Sequence, residues 1–210
     1  GETQLTFDKK LSSNNSCKLE IDNEQAELKN IDGRKYCVLP AGSYYLAGDI
    51  TLDKSILIES GEVNICLNGH TLYLNHGTVQ IWEVIQLNGG TLNLTDCQDK
   101  GTVCHVDGNP GRGVTVGDGT RFTLYGGTIC NNVARVSSST TAQGGGVYIG
   151  DKSTFNMYGG KIHNNRAKVP EAETVSGYGG GVYCAPNGTF NLLAGEITEN
   201  QVRVESNNGG

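Results

Sequence analysis

Several things are scarce in this chain, and each scarcity removes a class of function. No run of apolar residues approaches the 18 needed for a membrane-spanning helix. Cations are outnumbered, 16 against 22 anions, for a net charge of −6, and no basic patch is interleaved with aromatics; nucleic acid is therefore a poor partner. Aromatic residues make up 7% of the chain, with a single Trp. There is no Cys-x-x-Cys pair, so the seven cysteines do not read as a zinc site. No secretory leader is read at the start. What the chain has in excess is glycine, 31 of 210 residues, which together with few aromatics suits a thin body with many turns.

The strongest positive signal is repetition. The block Gly113-Val114-Thr115-Val116 … Phe122-Thr123-Leu124-Tyr125-Gly126-Gly127-Thr128-Ile129-Cys130-Asn131-Asn132 returns twice. It recurs as Gly146-Val147-Tyr148-Ile149 … Phe155 to Asn165, and again as Gly181-Val182-Tyr183-Cys184 … Phe190 to Asn200, at Phe-to-Phe spacings of 33 and 35. A fixed period of this length signals a solenoid. Within each block, Val147 and Ile149 alternate with Tyr148, and Phe155 and Met157 with Asn156; period-2 runs this short predict strands. Gly-Gly, Asp-Gly and Asn-Gly pairs punctuate them as turns. Three strands per repeat in constant order predict a coil that stacks in parallel on the next coil, about 4.8 Å away.

Equivalent residues then form ladders. Val114/Val147/Val182, Val116/Ile149/Cys184, Phe122/Phe155/Phe190, Leu124/Met157/Leu192 and Ile129/Ile162/Ile197 are expected inside. Asn132, Asn165 and Asn200 are expected as a structural amide ladder at a turn, in the left-handed conformation that Asn tolerates. Upstream, Leu72-Tyr73-Leu74 and Leu92-Asn93-Leu94 read as equivalent strands 20 residues apart, so the coil lengthens from about 20 to about 35 residues. The growth is expected after each Asn pair, at 133–143 and 166–178.

Tyr44-Tyr45-Leu46-Ala47-Gly48-Asp49-Ile50 followed by Ile65-Cys66-Leu67-Asn68-Gly69-His70-Thr71-Leu72 resembles the opening coils of right-handed parallel β-helix proteins, the pectate-lyase-like superfamily. The Gly-Gly-Gly-Val-Tyr … Phe-x-Met-x-Gly-Gly-x-Ile-x-x-Asn blocks are similar to repeats of bacterial surface and secreted β-helix proteins, and more loosely to adhesin repeats whose Phe-x-x-Asn spacing is not kept. The resemblance spans roughly residues 41–200 and implies an all-β, right-handed parallel β-helix of about six coils, with longer loops in the C-terminal coils. It also implies an extracellular or cell-surface location. The fold hosts lyases, hydrolases, esterases and non-catalytic adhesins alike, so function must be argued from a site.

Residues 1–40 break the pattern and are expected to cap the first coil, with 41–210 as the helix proper. In that cap, 22–30 reads as a short polar helix between strands 17–21 and 35–39. At the other end, 205–210 stand where earlier repeats enter Gly-Gly-Gly-Val-Tyr. The array is expected to be uncapped there, continued by further chain or met end-to-end by another copy. An odd number of cysteines forbids complete internal pairing. Cys97–Cys104, Cys104–Cys130 and Cys17–Cys37 are all open as bridges, and Cys184 is expected as a buried apolar residue.

Three outward sets carry candidate chemistry. Arg135, Lys168 and Arg203 keep the 33- and 35-residue register and form a basic row. Like charges so spaced repel by about 1 kcal/mol or somewhat more, yet the row is suited to uronate or sulfate groups of an extended anionic glycan. Neutralisation by Glu171 and Glu173 is the competing reading. Asp118 and Asp151 align in Gly-Asp turns; they would serve as an acid and a nucleophile or base, or hold Ca2+, although turn geometry alone asks for Asp there. Tyr148, Tyr183 and Tyr178 lie near the rim formed by the long loops and offer aromatic faces to sugar rings. The four histidines show no metal or triad spacing, and Trp82 reads either as a cap or as a sugar platform. The expected activity is non-catalytic binding of a polysaccharide or host-surface glycan. The alternatives are a polysaccharide lyase or glycoside hydrolase, and a spacer with no ligand.

Overall fold

A computed structural model describes residues 6–77, 82–135, 141–170 and 176–205. No helix occurs among them, and the chain winds as a parallel β-solenoid of about six turns. The first face stacks Arg34–Val38, Ile56–Ile58, Ile85–Leu87, Val114–Val116, Val147–Ile149 and Val182–Cys184. The second face runs from Gly42–Leu46 through Glu62–Cys66, Thr91–Thr95 and Arg121–Leu124. The third stacks Ile50–Leu52, Thr71–Leu74, Thr102–His105 and Thr128–Cys130. In the last two coils, Thr154–His163 and Thr189–Thr198 run through both the second and third faces without a break.

Every ladder of the repeat is in register. Phe122 faces Phe155, which faces Phe190, with ring centroids 4.7 and 5.0 Å apart. Val114/Val147/Val182 and Ile129/Ile162/Ile197 pair likewise. The inward residues of coils with a neighbour on each side are fully buried, among them Val116, Phe122, Leu124, Ile129, Ile149, Phe155 and Ile162. Each such side chain contributes about 1.5–3 kcal/mol through removal from water, so the solenoid is held by one continuous column of apolar contacts.

The asparagine ladder explains the triple glycine. Asn165 Nδ2 donates to Asn200 Oδ1 (3.0 Å) and to the Ile129 carbonyl (2.9 Å). Its Oδ1 accepts from the Asn132 backbone N–H (3.1 Å) and from Asn132 Nδ2 (3.0 Å). Asn132 and Asn165 are fully buried. Their amides lie directly against Gly113 and Gly146, where an added Cβ would stand 2.8 and 2.9 Å from the Asn132 and Asn165 Nδ2 atoms. The glycine before each first-face Val, Gly113, Gly146 and Gly181, thus clears the space the ladder occupies, and in the last two coils it is the third of a Gly-Gly-Gly. The left-handed residue of each pair is not the ladder Asn but the one before it: Asn131 (φ 57), Asn164 (φ 51) and Glu199 (φ 56).

Several expectations are corrected. Residues 22–30 form no helix; Leu19–Ile21 pairs antiparallel with Glu24–Gln25, and Leu28–Ile31 with Arg34–Val38. Both loops are two residues long with φ positive throughout, at Asp22-Asn23 (52 and 71) and Asp32-Gly33 (50 and 83). That is the twist a tight hairpin needs, and it outweighs the polar-helix composition. Leu72 and Leu92 are not equivalent: Leu72 stands opposite Ile50 and Val103 on the third face, and Leu92 opposite Val63 and Phe122 on the second. The coil still lengthens, from Gly42 opposite Val63 (21 residues on) to Phe155 opposite Phe190 (35 residues on).

All seven cysteines are free thiols, and Cys97 lies beside Cys66 rather than Cys104. Cys184 keeps its inward register opposite Ile149 but is exposed, as are Leu192, Ile197, Val202 and Val204, all in the last described coil.

Candidate functional site

The described parts of the long segments at the corner between the third and first faces are largely strands. Val133–Arg135, Arg166–Pro170 and Gln201–Glu205 pair in parallel, and Ala142–Gln143 pairs with Gly177–Tyr178 on the way back. When loops leave a coil at the same corner in every turn, their backbones meet at strand spacing and satisfy one another. Alternation then sorts the arm's side chains. Ala142, Ala167 and Val169 form a small apolar core of their own. Arg135, Arg166 and Lys168 alternate with Ala134, Ala167 and Val169. The predicted row is in register, Arg135 opposite Lys168 opposite Arg203. Val136, Glu171 and Glu173, expected beside it, lie outside the described residues.

The arm walls a groove. One hollow of 330 Å³ is lined by Arg135, Arg166 and Lys168 on the arm, Asn131 and Asn164 at the turn, and Asp107 and Asn109 from the facing segment. A second, of 610 Å³, lies over the outer side of the third face, against Thr51, Thr71, Tyr73, Thr102 and Cys104. The two share Val106, Asp107 and Asn131 and so form one channel. From the Thr51 rung to the Lys168 rung is four steps, about 19 Å.

Among the described residues, three cations and one carboxylate line the arm end of this channel in a chain that is acidic overall. Two polar atoms of its lining have no hydrogen-bond partner among the described residues and are shielded from solvent: Arg166 Nε and Asn109 Oδ1. Arg166 is otherwise anchored by an Nη2 bond to Asn164 Oδ1 (3.0 Å). Arg166 was not singled out in the sequence, because its counterparts in the other repeats are Val133 and Gln201. The visible signal was its i, i+2 relation to Lys168 in a predicted strand.

Arg203 continues the row but lies beyond the hollow, bonded through Nε to Gln201 Oε1 (2.6 Å). Tyr148 and Tyr183 do stack, with centroids 5.4 Å apart, and Tyr178 sits tilted 6.4 Å from Tyr183 with half its surface exposed. The Arg112 guanidinium covers the Tyr148 ring at 4.8 Å. None of the three tyrosines lines the channel. Trp82 packs between Tyr36 and His76 under Arg34, joined to the buried Glu83 by the Arg34 and Tyr36 contacts.

Asp118 and Asp151 are occupied by their turns. Asp118 Oδ1 accepts the Asp151 N–H (2.9 Å), and Asp151 Oδ1 accepts from Asn187 Nδ2 (2.6 Å). They sit between the first and second faces and line neither hollow, so they do not meet the cations. Among the described residues, no group of three His, Cys, Asp or Glu is placed to hold a metal ion.

His105 borders the channel but is buried, with Nδ1 on Asn132 Oδ1 (2.8 Å) and Nε2 on the Trp82 carbonyl (2.9 Å). Burial pushes it down to about 4, with His76 adding to the effect. At neutral pH it is uncharged, so only one ring nitrogen carries a proton and only one of these two acceptors receives a hydrogen bond.

Asp96 is a carboxylate that sequence reading passed over. It is buried between the second and third faces and accepts backbone N–H bonds from Gly69 (2.6 Å), Lys100 (2.7 Å), Gly101 (2.7 Å) and Gln98 (3.4 Å). Burial pushes its carboxyl up, but these donors outweigh burial and hold it below the usual carboxylate range. A depressed folded value gives stability that is present above the unfolded pKa, about 3.9, and lost as pH falls through the folded one. Asp96→Asn is expected to be destabilised by about 1–3 kcal/mol at pH 7. In urea titrations the gap from the parent should narrow below about pH 4; a gap unchanged with pH would show that the charge is not what the turn uses.

No family model matches the chain, and no curated protein or solved structure matches it either.

Proposed function

We propose that this chain is a non-catalytic binding module for an extended anionic polysaccharide, held along the channel with its carboxylate or sulfate groups against Arg135, Arg166 and Lys168. One observation carries the reading: three cations from two adjacent rungs line one open hollow. Such cations take an oxyanion in charge-assisted hydrogen bonds. The channel's length along the coil axis favours a polymer over a small ligand. Asp107 is the one acidic lining residue among those described, and the paired carboxylates of the turns are elsewhere; this supports binding over bond cleavage. The resemblance of the repeats to pectate-lyase-like and adhesin-type chains supports a bacterial surface or secreted protein and a glycan of the surroundings or of a host.

Native affinity electrophoresis through gels cast with polyuronates, glycosaminoglycans, mucin or neutral plant polysaccharides tests this. Retardation by the anionic polymers, weakening as salt rises past the concentration that screens about 10 Å, is the expected result. Clearing of polysaccharide in the stained gel would instead make the chain an enzyme. Unretarded migration across the panel would leave a spacer.

A further inference from the structure

We propose that Cys66 and Cys97 form an oxidative modification site, a latent disulfide that staples two successive coils of the solenoid. Their Sγ atoms stand 2.7 Å apart across 31 residues of chain, closer than unbonded sulfurs pack and within reach of the bonded distance of about 2.05 Å. The register explains why this pair can close. Cys66 ends the strand Glu62–Cys66 opposite Thr95. Cys97 lies two residues further on, in the turn held by Asp96, so its side chain swings back across the rung without being tied to ladder geometry.

Cys104 and Cys130 lie on paired strands, one residue past Val103 and Ile129, which stand opposite each other. Directly opposed strand residues keep their Cβ atoms about 4.5–5.5 Å apart, at or beyond the upper end of what a disulfide spans. Their thiols hydrogen-bond to each other, but with this backbone spacing the pair is expected to close more slowly than Cys66 and Cys97.

Access is also unequal. Cys66 is 2% exposed, whereas Cys97 is exposed and borders a 320 Å³ hollow with Phe7, Asn93 and Tyr125. A low-molecular-weight disulfide such as oxidised glutathione is the oxidant. The Cys97 thiol gives its proton to solvent, and its thiolate attacks one glutathione sulfur and expels a glutathione thiolate. The Cys66 thiolate, its proton likewise lost to solvent, then attacks the Cys97 sulfur, forms the Cys66–Cys97 bond and expels the second glutathione thiolate. Two protein thiols lose two electrons, and one oxidant disulfide becomes two thiols. The hydrogen bond to Cys66, with burial and Asp96 adding to it, pushes the Cys97 thiol up to about 11. The first step is therefore slow at neutral pH and is best run at about pH 8.5.

The test is incubation of the folded chain with oxidised glutathione, followed by alkylation and digestion after glutamate. Glu83 separates the two cysteines, so a cross-link joins two peptides. The expected result is loss of two of the seven thiols, a Cys66–Cys97 peptide pair, and a melting temperature higher by about 5–10 °C. Cys66→Ser should stop at a glutathione adduct on Cys97, and Cys97→Ser, altered at the exposed partner, should leave Cys66 unmodified. A wild-type chain that accumulates the stable adduct at Cys97, or that cross-links Cys104 to Cys130 first, overturns the proposal.

Discussion

Asn165→Ala should be the most damaging single substitution outside the aliphatic core, at about 3–5 kcal/mol. The reason is the number of groups it strands. The Asn132 backbone N–H loses its acceptor, Asn132 Nδ2 loses one of two, and the Ile129 carbonyl loses a side-chain donor. Each buried group left unpaired costs about 1–3 kcal/mol, and a fully buried cavity adds to that. At about 2–4 °C per kcal/mol for a chain of this size, the melting temperature should fall by about 10 °C. Asn200→Ala provides the comparison. Asn200 ends the ladder and is only half-buried, so solvent replaces part of what is lost and about 1 kcal/mol is expected. Equal losses at the two positions, measured by urea or thermal denaturation, would show that the ladder is not stabilised by burial of its amides.

The second large effect is on binding. Arg135→Glu/Lys168→Glu reverses two of the three cations lining the arm end of the channel. A charge-assisted hydrogen bond contributes about 1.5–3 kcal/mol, and reversal adds repulsion. Affinity for an anionic polysaccharide should therefore fall at least about 100-fold, with retardation abolished at moderate salt. Both residues lie on strands paired through their backbones, with apolar side chains on the opposite side of the arm; melting measured alongside separates a loss of binding from a loss of fold. Asp118→Asn, at a carboxylate remote from the channel, should bind as the parent does. Retained affinity in the double variant, or equal loss in Asp118→Asn, would remove the channel from the function. If the chain binds no polymer while its cysteines still cross-link, the binding reading fails and the redox site stands, since the Cys66–Cys97 contact is on the second face and shares no residue with the channel.

The hairpins at 22–33 and the placement of Leu72 and Leu92 show what kind of signal each rests on. Asp32-Gly33 is a strong tight-hairpin signature, and Asp22-Asn23 is a second two-residue turn of the same hand. Both were legible in 22–33, but the polar, helix-compatible composition between them drew the reading to a helix. Leu72 and Leu92 were aligned because each begins a Leu-x-Leu strand. Alternation tells which side of a strand a residue faces, yet it is identical on the second and third faces and carries no label for which face a strand belongs to.

The sequence by itself determined the architecture and the register in the repeated half. A period of 33 then 35 residues forces Phe122, Phe155 and Phe190, the asparagines, and Arg135, Lys168 and Arg203 into columns, because a solenoid stacks each residue on its counterpart one coil on. Tertiary structure decided what those columns border. The cations needed Asp107 and Asn109, from a segment with no repeat partner, to become one wall of a channel, and Arg166 entered only because its strand turned it the same way as Lys168. Cys66 and Cys97 were unpaired in the sequence reading for the same reason: their contact depends on how one turn folds back over a rung, and a repeat pattern records where coils stack but not how their turns close.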